Sequence, residues 1–206
     1  MNTNDDIILY DTAKEAGVTP VKTFDLIDPT WPPMSMVLPE FDFSNPPVDP
    51  NEFASTLVET CKKNRGLGLS ANQCGFPYRV FVMGTDDNYI ACFNPKIILA
   101  EGEEHMAEGC LSFPLLQLRI TRPKTITVEY QDWNGEVHTN KFTGLTARIF
   151  LHELDHMNGI MYTDRAKPLA LKSGLKKVEK VYRKYFSNSA MKKLQNGIKE
   201  ANTGRK

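Results

Sequence analysis

The feature that most constrains the fold is an apolar segment that carries ionisable side chains. The pattern predicts a helix from about Leu145 to Asn158, with Gly159 as its C-terminal cap. Its many apolar residues should leave it largely buried, yet it contains the sequence HELDH at 152–156. A buried glutamate is costly unless it is paired or used in chemistry. The rest of the chain must therefore be built around this helix.

The HELDH sequence is an H-E-x-x-H motif, which is typical of a catalytic metal site. His152 and His156 are four residues apart and lie on one helix face, so both imidazoles can reach one ion while Glu153 reaches its water. Such a site needs a third protein ligand and one open position. Two candidates remain open from the residues alone. Cys110, in EGCLS at 108–112, would give a soft Cys/His/His set, and Glu179 would give a metallopeptidase-like set.

A glycine-rich segment, GLGLSANQ at 66–73, is the third element of interest. Small residues let a backbone approach a ligand closely, and a peptide substrate can pair with such a segment as an added strand. Gln73 offers an amide donor for a developing oxyanion. The segment lacks the GK[ST] ending of a P-loop, which argues against phosphate binding.

The remaining patterns predict an α+β fold. Asp49 and Pro50 begin a helix that ends near Asn64. A helix from Pro168 has apolar residues that step by four and three. Between the helices lie short runs rich in branched and aromatic residues, at 79–84, 89–93, 96–101, 118–121, 124–131 and 137–143. Asn134-Gly135 predicts a hairpin between the last two. We therefore expect antiparallel β-sheets around the central HExxH helix, with one helix before the strands and one at the C-terminal end.

The chain is predicted to be one domain over residues 1–206. Eight of its 13 prolines fall within residues 1–50, so residues 1–48 are interpreted as an extended arm over the core. Residues 168–206 are interpreted as a basic helix and tail. From residue 164 to 206 there are 13 Lys+Arg against three acids, which favours either a phosphate-rich partner or a solvated helix face.

The composition also bears on the compartment. We find no apolar run of the roughly 20 residues that span a bilayer, no secretory signal and no transit peptide, so the predicted location is cytoplasmic. The four cysteines form no C-x-x-C pair, and Cys61, Cys74 and Cys92 are interpreted as small buried hydrophobes.

Taken in order, GLGLSANQ, EGCLS and HELDH resemble the three motifs of the peptide deformylases, G-φ-G-φ-A-A-x-Q, E-G-C-φ-S and H-E-φ-D-H, where φ is apolar. The resemblance covers residues 66–163 most firmly. Ser70 stands where the family pattern has its first alanine, and we expect a local adjustment there. The acidic, proline-rich N-terminus departs more from the pattern.

The resemblance implies a peptide deformylase, a metal-dependent hydrolase of linear amides that removes the formyl group from N-formylmethionyl nascent polypeptides and releases formate. Cys110, His152 and His156 would bind one divalent ion, most often Fe²⁺, with Zn²⁺, Ni²⁺ or Co²⁺ able to occupy the site. A metal-bound water would attack the formyl carbonyl, with Glu153 as general base and then general acid. The Gln73 side chain and the backbone N–H of Leu111 would hold the oxyanion.

Further roles follow from the same resemblance. Glu108 and Arg122 are expected to form an ion pair beneath the metal loop. Asp155 either orients a metal-binding histidine or lies at the surface. Substrate contacts are expected from the apolar side chains of Leu67, Leu145 and Ile149 and from the backbones of Gly68 and Gly109.

Two alternatives remain beside this prediction. One is an endopeptidase with Glu179 as third ligand. The other is a non-catalytic, deformylase-like module that binds the ribosome. The basic C-terminal helix would allow ribosome docking in an active enzyme too, whereas no DNA or membrane partner is expected.

Overall fold

The structure is a computed structural model that describes residues 21–85 and 88–185. Four helices are α1 (Pro50–Lys63), α2 (Gly144–Met157), α3 (Tyr162–Arg165) and α4 (Pro168–Tyr185). Seven strands are β1 (Gly68–Ser70), β2 (Val80–Thr85), β3 (Asn88–Glu101), β4 (Glu104–Cys110), β5 (Phe113–Arg122), β6 (Thr125–Gln131) and β7 (Val137–Thr143). Short 3₁₀ turns cover Pro32–Ser35 and Ala71–Cys74.

The strands form two antiparallel sheets. A five-stranded sheet has the order β1-β2-β3-β6-β7, and β4 and β5 form a two-stranded sheet. The predicted α+β class with antiparallel sheets is confirmed.

Helix α2 lies in the core, as its apolar pattern predicts. Every residue from Phe150 to Met157 is buried. Phe150 packs edge-on against Phe81 of β2, with ring centroids 5.1 Å apart, and both side chains are inaccessible to solvent. Because apolar contacts hold this helix, its ionisable side chains are fixed within the interior.

Two strand predictions needed correction. The runs at 89–93 and 96–101 belong to the single strand β3, which passes through Asn94 and Pro95 with a register shift against β6. Asn94 tolerates the left-handed backbone (φ 50°), and its side chain pairs with the backbone of Phe41. Strand β4 was not predicted, because EHMAEGC has few branched or aromatic residues.

The predicted hairpin joins β6 and β7 through a turn at 132–136. Gly135 takes the left-handed conformation (φ 79°), and its N–H donates to the carbonyl of Asp132 at 3.0 Å. The Asp132 carboxylate accepts from the backbone of Asn134 at 2.8 Å. The Asn-Gly pair therefore forms the hairpin turn at the predicted position.

Residues 21–48 run over the core without a regular element apart from the first 3₁₀ turn. Backbone bonds tie this part of the arm to the site, from Ile27 N to Gln73 O and from Leu38 N to Met157 O, both 2.9 Å. Residues 1–20 of the predicted arm and 186–206 of the predicted basic tail lie outside the described residues. The single-domain assignment remains a prediction.

Helix α4 packs one face against the two-stranded sheet. Val178 and Tyr182 are buried in a cluster with Leu116 and Leu118 of β5. Its lysines lie exposed on the opposite face. Within the described ranges, no helix has both the length and the apolar character needed to cross a bilayer.

Candidate active site

The two histidines of α2 meet a cysteine from the neighbouring sheet. The His152 and His156 ring centroids are 5.2 Å apart, and Cys110 Sγ lies 3.4 Å from His156 Nε2. The potential ligand atoms of Cys110, His152 and His156 all lie within 4.8 Å of one another. We call these three residues the Cys/His cluster.

Cys110 reaches the cluster because of the turn that ends β4. Cys110 pairs with Phe113, and the ladder shifts register between Glu108 and Cys110. Leu111 therefore stands in the turn directly after the thiol. Glu179, the alternative ligand, lies on α4 and accepts a 2.6 Å bond from Arg183. The structure thus brings Cys110, rather than Glu179, to the histidines.

The other three cysteines differ from Cys110 in their surroundings. Cys61, Cys74 and Cys92 are buried, whereas Cys110 is only partly buried. Burial raises the pKa of the Cys61 and Cys74 thiols to about 12, so they stay protonated and inert. Their interpretation as buried hydrophobes is confirmed.

The surroundings of the cluster fit a divalent metal ion. His152 Nδ1 lies 3.0 Å from Glu108 Oε2, a bond that leaves Nε2 as the ligand atom. His156 Nδ1 is buried and has no hydrogen-bond partner among the described residues. No acceptor therefore stabilises a proton on that nitrogen, and the imidazole can be neutral, which is the form that binds a metal. One thiolate and two imidazoles suit Zn²⁺, Fe²⁺, Co²⁺ or Ni²⁺ and leave a fourth position open.

Beneath the cluster lies a buried network of opposite charges. Glu108 accepts from Arg122 Nε at 2.7 Å and from Arg148 Nη1 at 2.8 Å, and all three side chains are buried. Burial opposes the charged form of Glu108, but its bonds from Arg122, His152 and Arg148 hold the pKa of its carboxyl far below the usual range. Glu108 therefore stays anionic against His152.

Asp155 belongs to the same network. It is buried and accepts a hydrogen bond from Arg122 Nη1 at 2.6 Å. Its two carboxylate oxygens also accept from Nε and Nη2 of Arg165. The surface alternative for Asp155 is therefore wrong. Its side chain makes no hydrogen bond to a histidine among the described residues either, because Glu108 bonds to His152 and Asp155 bonds to the arginine behind Glu108. Arg148 and Arg165 were missed by sequence reasoning; an arginine within an apolar helix was the available signal.

Glu153 lies against the glycine-rich strand. An added Cβ on Gly68 would lie 2.5 Å from Glu153 Oε1, so only glycine leaves room for this carboxyl group. Burial raises the pKa of Glu153 to about 7, although the nearby charges of His152 and Arg122 lower it. Oε2 is buried and has no partner among the described groups. A carboxyl that titrates near neutrality can both accept and return a proton.

Gln73 presents its amide nitrogen to the cluster. It is buried in the 3₁₀ turn after β1, and Nε2 donates to Ser112 Oγ at 2.9 Å and lies 3.4 Å from Cys110 Sγ. The predicted oxyanion donor thus stands beside the predicted metal ligand.

A cavity of about 400 Å³ opens onto these groups. It is lined by Gln73, Cys110, His152 and Glu153, and by all five predicted substrate contacts, Leu67, Gly68, Gly109, Leu145 and Ile149. Six further lining residues lie outside the predicted motifs and contacts, namely Arg65, Ala107, Pro114, Leu115, Gln117 and Arg148. Leu115 has a left-handed backbone (φ 68°) and is 54% exposed. Backbone strain of this kind in a non-glycine residue often marks a functional site.

Comparison with known proteins agrees with this geometry. The family model described as polypeptide deformylase matches residues 38–172. A peptide deformylase of Thermotoga neapolitana is 42% identical over 113 residues, which are 54% of this chain and 69% of that protein. The crystal structure of peptide deformylase from Thermus thermophilus superposes with a TM-score of 0.71 at 28% identity, covering 86% of this chain and 99% of the other.

A second solved structure, peptide deformylase from Thermotoga maritima, has a TM-score of 0.64 at 33% identity and covers 71% of this chain and 99% of its own. The fold and the site define a metal-dependent hydrolase of the HExxH type. The chain belongs to the polypeptide deformylase family. It is an enzyme with deformylase function, and the resemblance of the three motifs is confirmed.

Proposed function

We propose that this chain hydrolyses the N-terminal formyl group of N-formylmethionyl nascent chains at the Cys/His cluster, with Glu153 as the proton carrier. The observation that carries the proposal is one cavity lined by Cys110, His152, Glu153 and Gln73, with the His156 ligand atom within 4.8 Å of those of Cys110 and His152. Peptidase chemistry with Glu179 has no such support, because Glu179 is paired with Arg183 on α4.

Cys110, His152 and His156 would hold one divalent ion, with Fe²⁺ as the native metal and Zn²⁺, Ni²⁺ or Co²⁺ as replacements. When bound, the ion would lower the pKa of a water and polarise the formyl carbonyl. Arg122 and Glu108 keep His152 in the tautomer that can bind a metal. The thiolate would make an iron form sensitive to oxygen, because Cys110 can be oxidised.

Glu153 carries the proton through the reaction. As a carboxylate it accepts a proton from the attacking water, and it returns that proton to the amide nitrogen as the C–N bond breaks. The products are formate and a free methionyl N-terminus. A pKa raised to about 7 by burial suits both halves of this cycle.

Gln73 and Leu111 would stabilise the negative charge that develops on the formyl oxygen. The Gln73 amide nitrogen already faces Cys110, and the Leu111 backbone N–H follows the thiol in the β4–β5 turn. Loss of one such donor typically costs about 10²–10³-fold in rate.

The cavity walls would bind the substrate chain. Leu67, Leu145 and Ile149 supply apolar surface for the methionine side chain. Gly68 and Gly109 present backbone at the cavity, where an extended peptide can pair with them as an added strand.

The experiment that tests this proposal is formate release from a formyl-Met-Ala-Ser peptide by protein purified without oxygen or loaded with Ni²⁺. We expect rapid release by the wild type and loss of release in Glu153→Ala, with metal content unchanged. Cys110→Ala should lose the metal, and Glu179→Ala should keep it. No release by metal-loaded, reduced wild-type protein would overturn the proposal.

We also propose that the enzyme works in the cytoplasm and docks on the ribosome through the basic face of α4. Lys172, Lys176, Lys177 and Lys180 are exposed on that face, which suits a phosphate-rich surface. The variant Lys176→Gln/Lys180→Gln should weaken co-sedimentation with ribosomes and lessen its salt dependence, with formate release unchanged. Unchanged ribosome binding would exclude this docking mode.

A further inference from the structure

Ser70, the residue that departs from the family pattern, makes side-chain bonds that alanine cannot make. It is completely buried at the end of β1. Its hydroxyl oxygen lies 2.8 Å from Asn72 Oδ1 and 3.0 Å from Gln73 Oε1, and its backbone N–H donates to the same Gln73 oxygen at 3.0 Å. Both amide oxygens only accept, so the single hydroxyl proton is shared between them or donated to one.

The bonds to Gln73 decide which end of its amide faces the reaction. Because Ser70 offers donors, the oxygen of Gln73 lies on the Ser70 side. The nitrogen is then turned to Ser112 Oγ at 2.9 Å and Cys110 Sγ at 3.4 Å. A flipped amide would place its NH₂ group against the Ser70 N–H and lose these bonds.

The bond to Asn72 extends the link to the helix that carries the histidines. Asn72 Nδ2 donates to the carbonyl of His156 at 3.1 Å and to that of Pro33 at 3.3 Å. Asn72 is also fully buried. One hydroxyl thus joins two side-chain amides, of which one contacts the Cys110 loop and the other contacts the end of α2.

We propose that Ser70 is a positioning residue: its backbone N–H sets the donating orientation of the Gln73 amide toward the formyl oxygen, and its hydroxyl restrains the amide further through a second bond to the same oxygen. This inference rests on the proposed oxyanion role of Gln73. The family pattern has alanine at this position, so the hydroxyl is not a requirement of the reaction. In this chain the hydroxyl links the Gln73 amide oxygen to that of Asn72.

Kinetics of the Ser70→Ala variant test the inference, with Ni²⁺-loaded enzyme and formyl-Met-Ala-Ser. Loss of one hydrogen bond of about 1 kcal/mol corresponds to a decrease of roughly 3–10-fold in kcat, with KM within about 2-fold. The matched control is Thr56→Val, which removes another buried hydroxyl that donates only within α1, to Glu52 O at 2.8 Å. That control should keep the wild-type kcat. Equal kcat values for wild type and Ser70→Ala would overturn the inference.

A double-mutant cycle separates positioning from a general structural effect. If Ser70 acts through Gln73, adding Ser70→Ala to Gln73→Ala should cause no further loss of kcat. A loss that persists in the Gln73→Ala background would show that Ser70 acts elsewhere.

A spectroscopic readout is independent of turnover. In Co²⁺-loaded protein, the sulfur-to-cobalt absorption band reports the hydrogen bond from Gln73 Nε2 to Cys110 Sγ. We expect a band shift in the same direction in Ser70→Ala and Gln73→Ala, smaller in Ser70→Ala, and none in Thr56→Val. A band unchanged by Ser70→Ala would contradict the inference. A wild type that releases no formate would instead defeat the proposed function, and the cobalt band would still decide the position of the amide.

Discussion

The floor and the rim of the cavity have opposite relations to solvent. We define the floor as the lining residues Glu108 and Glu153 together with Arg122, which pairs with Glu108 behind them, and all three charged side chains are buried. On the rim, three leucines are exposed, Leu67 at 43%, Leu115 at 54% and Leu145 at 49%. Charge is inside and apolar surface is outside, which reverses the ordinary arrangement of a folded protein.

The difference in burial predicts different roles for the floor and the rim. The charges of the ion-pair network are held by their neighbours, so changing one leaves a buried partner unpaired. The rim leucines are exposed and add little to the stability of the folded chain, and under the proposed function they would be covered by the bound peptide. Floor substitutions should therefore change stability or turnover strongly, and rim substitutions should change substrate binding weakly.

The largest effect should follow from removing the central arginine of the floor. Arg122→Met leaves Glu108 and Asp155 short of a partner, and the free energy of unfolding should fall by about 3–5 kcal/mol. Urea denaturation measures this. Lys96→Met, which breaks the exposed pair with Glu129, should leave the free energy of unfolding almost unchanged. Similar losses in the two variants would remove the distinction between floor and surface.

A smaller but specific effect should follow from crowding Glu153. In Gly68→Ala, the new Cβ would lie 2.5 Å from Glu153 Oε1, the mobile end of a side chain, so the carboxyl moves and the fold remains. Misplacement of this kind costs about 10²-fold in kcat/KM. Formate release and the melting temperature measure the two outcomes. The loss should appear in kcat, and a rise in KM alone would point to substrate backbone contacts at Gly68 instead.

The floor should also set the pH dependence. Burial raises the pKa of Glu153 to about 7, and only its carboxylate form accepts a proton. The value of kcat/KM should therefore fall about tenfold per unit as the pH drops below 7 and level off above it. The pH profile of formate release measures this limb. A limb near the ordinary glutamate pKa would show that burial does not control the base.

The smallest effect is expected at the rim. Leu115→Asn keeps a side chain of similar size that tolerates the left-handed backbone, so the fold should be preserved. Loss of apolar contact of about 1 kcal/mol should raise KM for formyl peptides by roughly 2–5-fold at constant kcat. Leu169→Asn, on an 82% exposed leucine of α4, is the matched control. A fall in kcat alone would place Leu115 in the catalytic machinery.

Much of the fold was accessible from local patterns. Helices α1, α2 and α4 and the β6–β7 hairpin follow from caps, periodicity and an Asn-Gly turn, which act over a few residues. Strand β4 escaped detection because its small and charged residues take strand form only by pairing with β5. The continuity of β3 through Asn94 depends in the same way on the distant residue Phe41.

The candidate site likewise has features that local sequence patterns predict and features that depend on the folded chain. The candidate metal-binding histidines could be identified from the amino-acid order, since the spacing of His152 and His156 on a helix is a local property. The meeting of Cys110 with these histidines required the folded chain, because that contact depends on where the β4–β5 turn lies against α2. The burial of Arg148 and Asp155 in one charge network required it too. The pairing of charged side chains joins distant segments of the chain, and no local pattern encodes it.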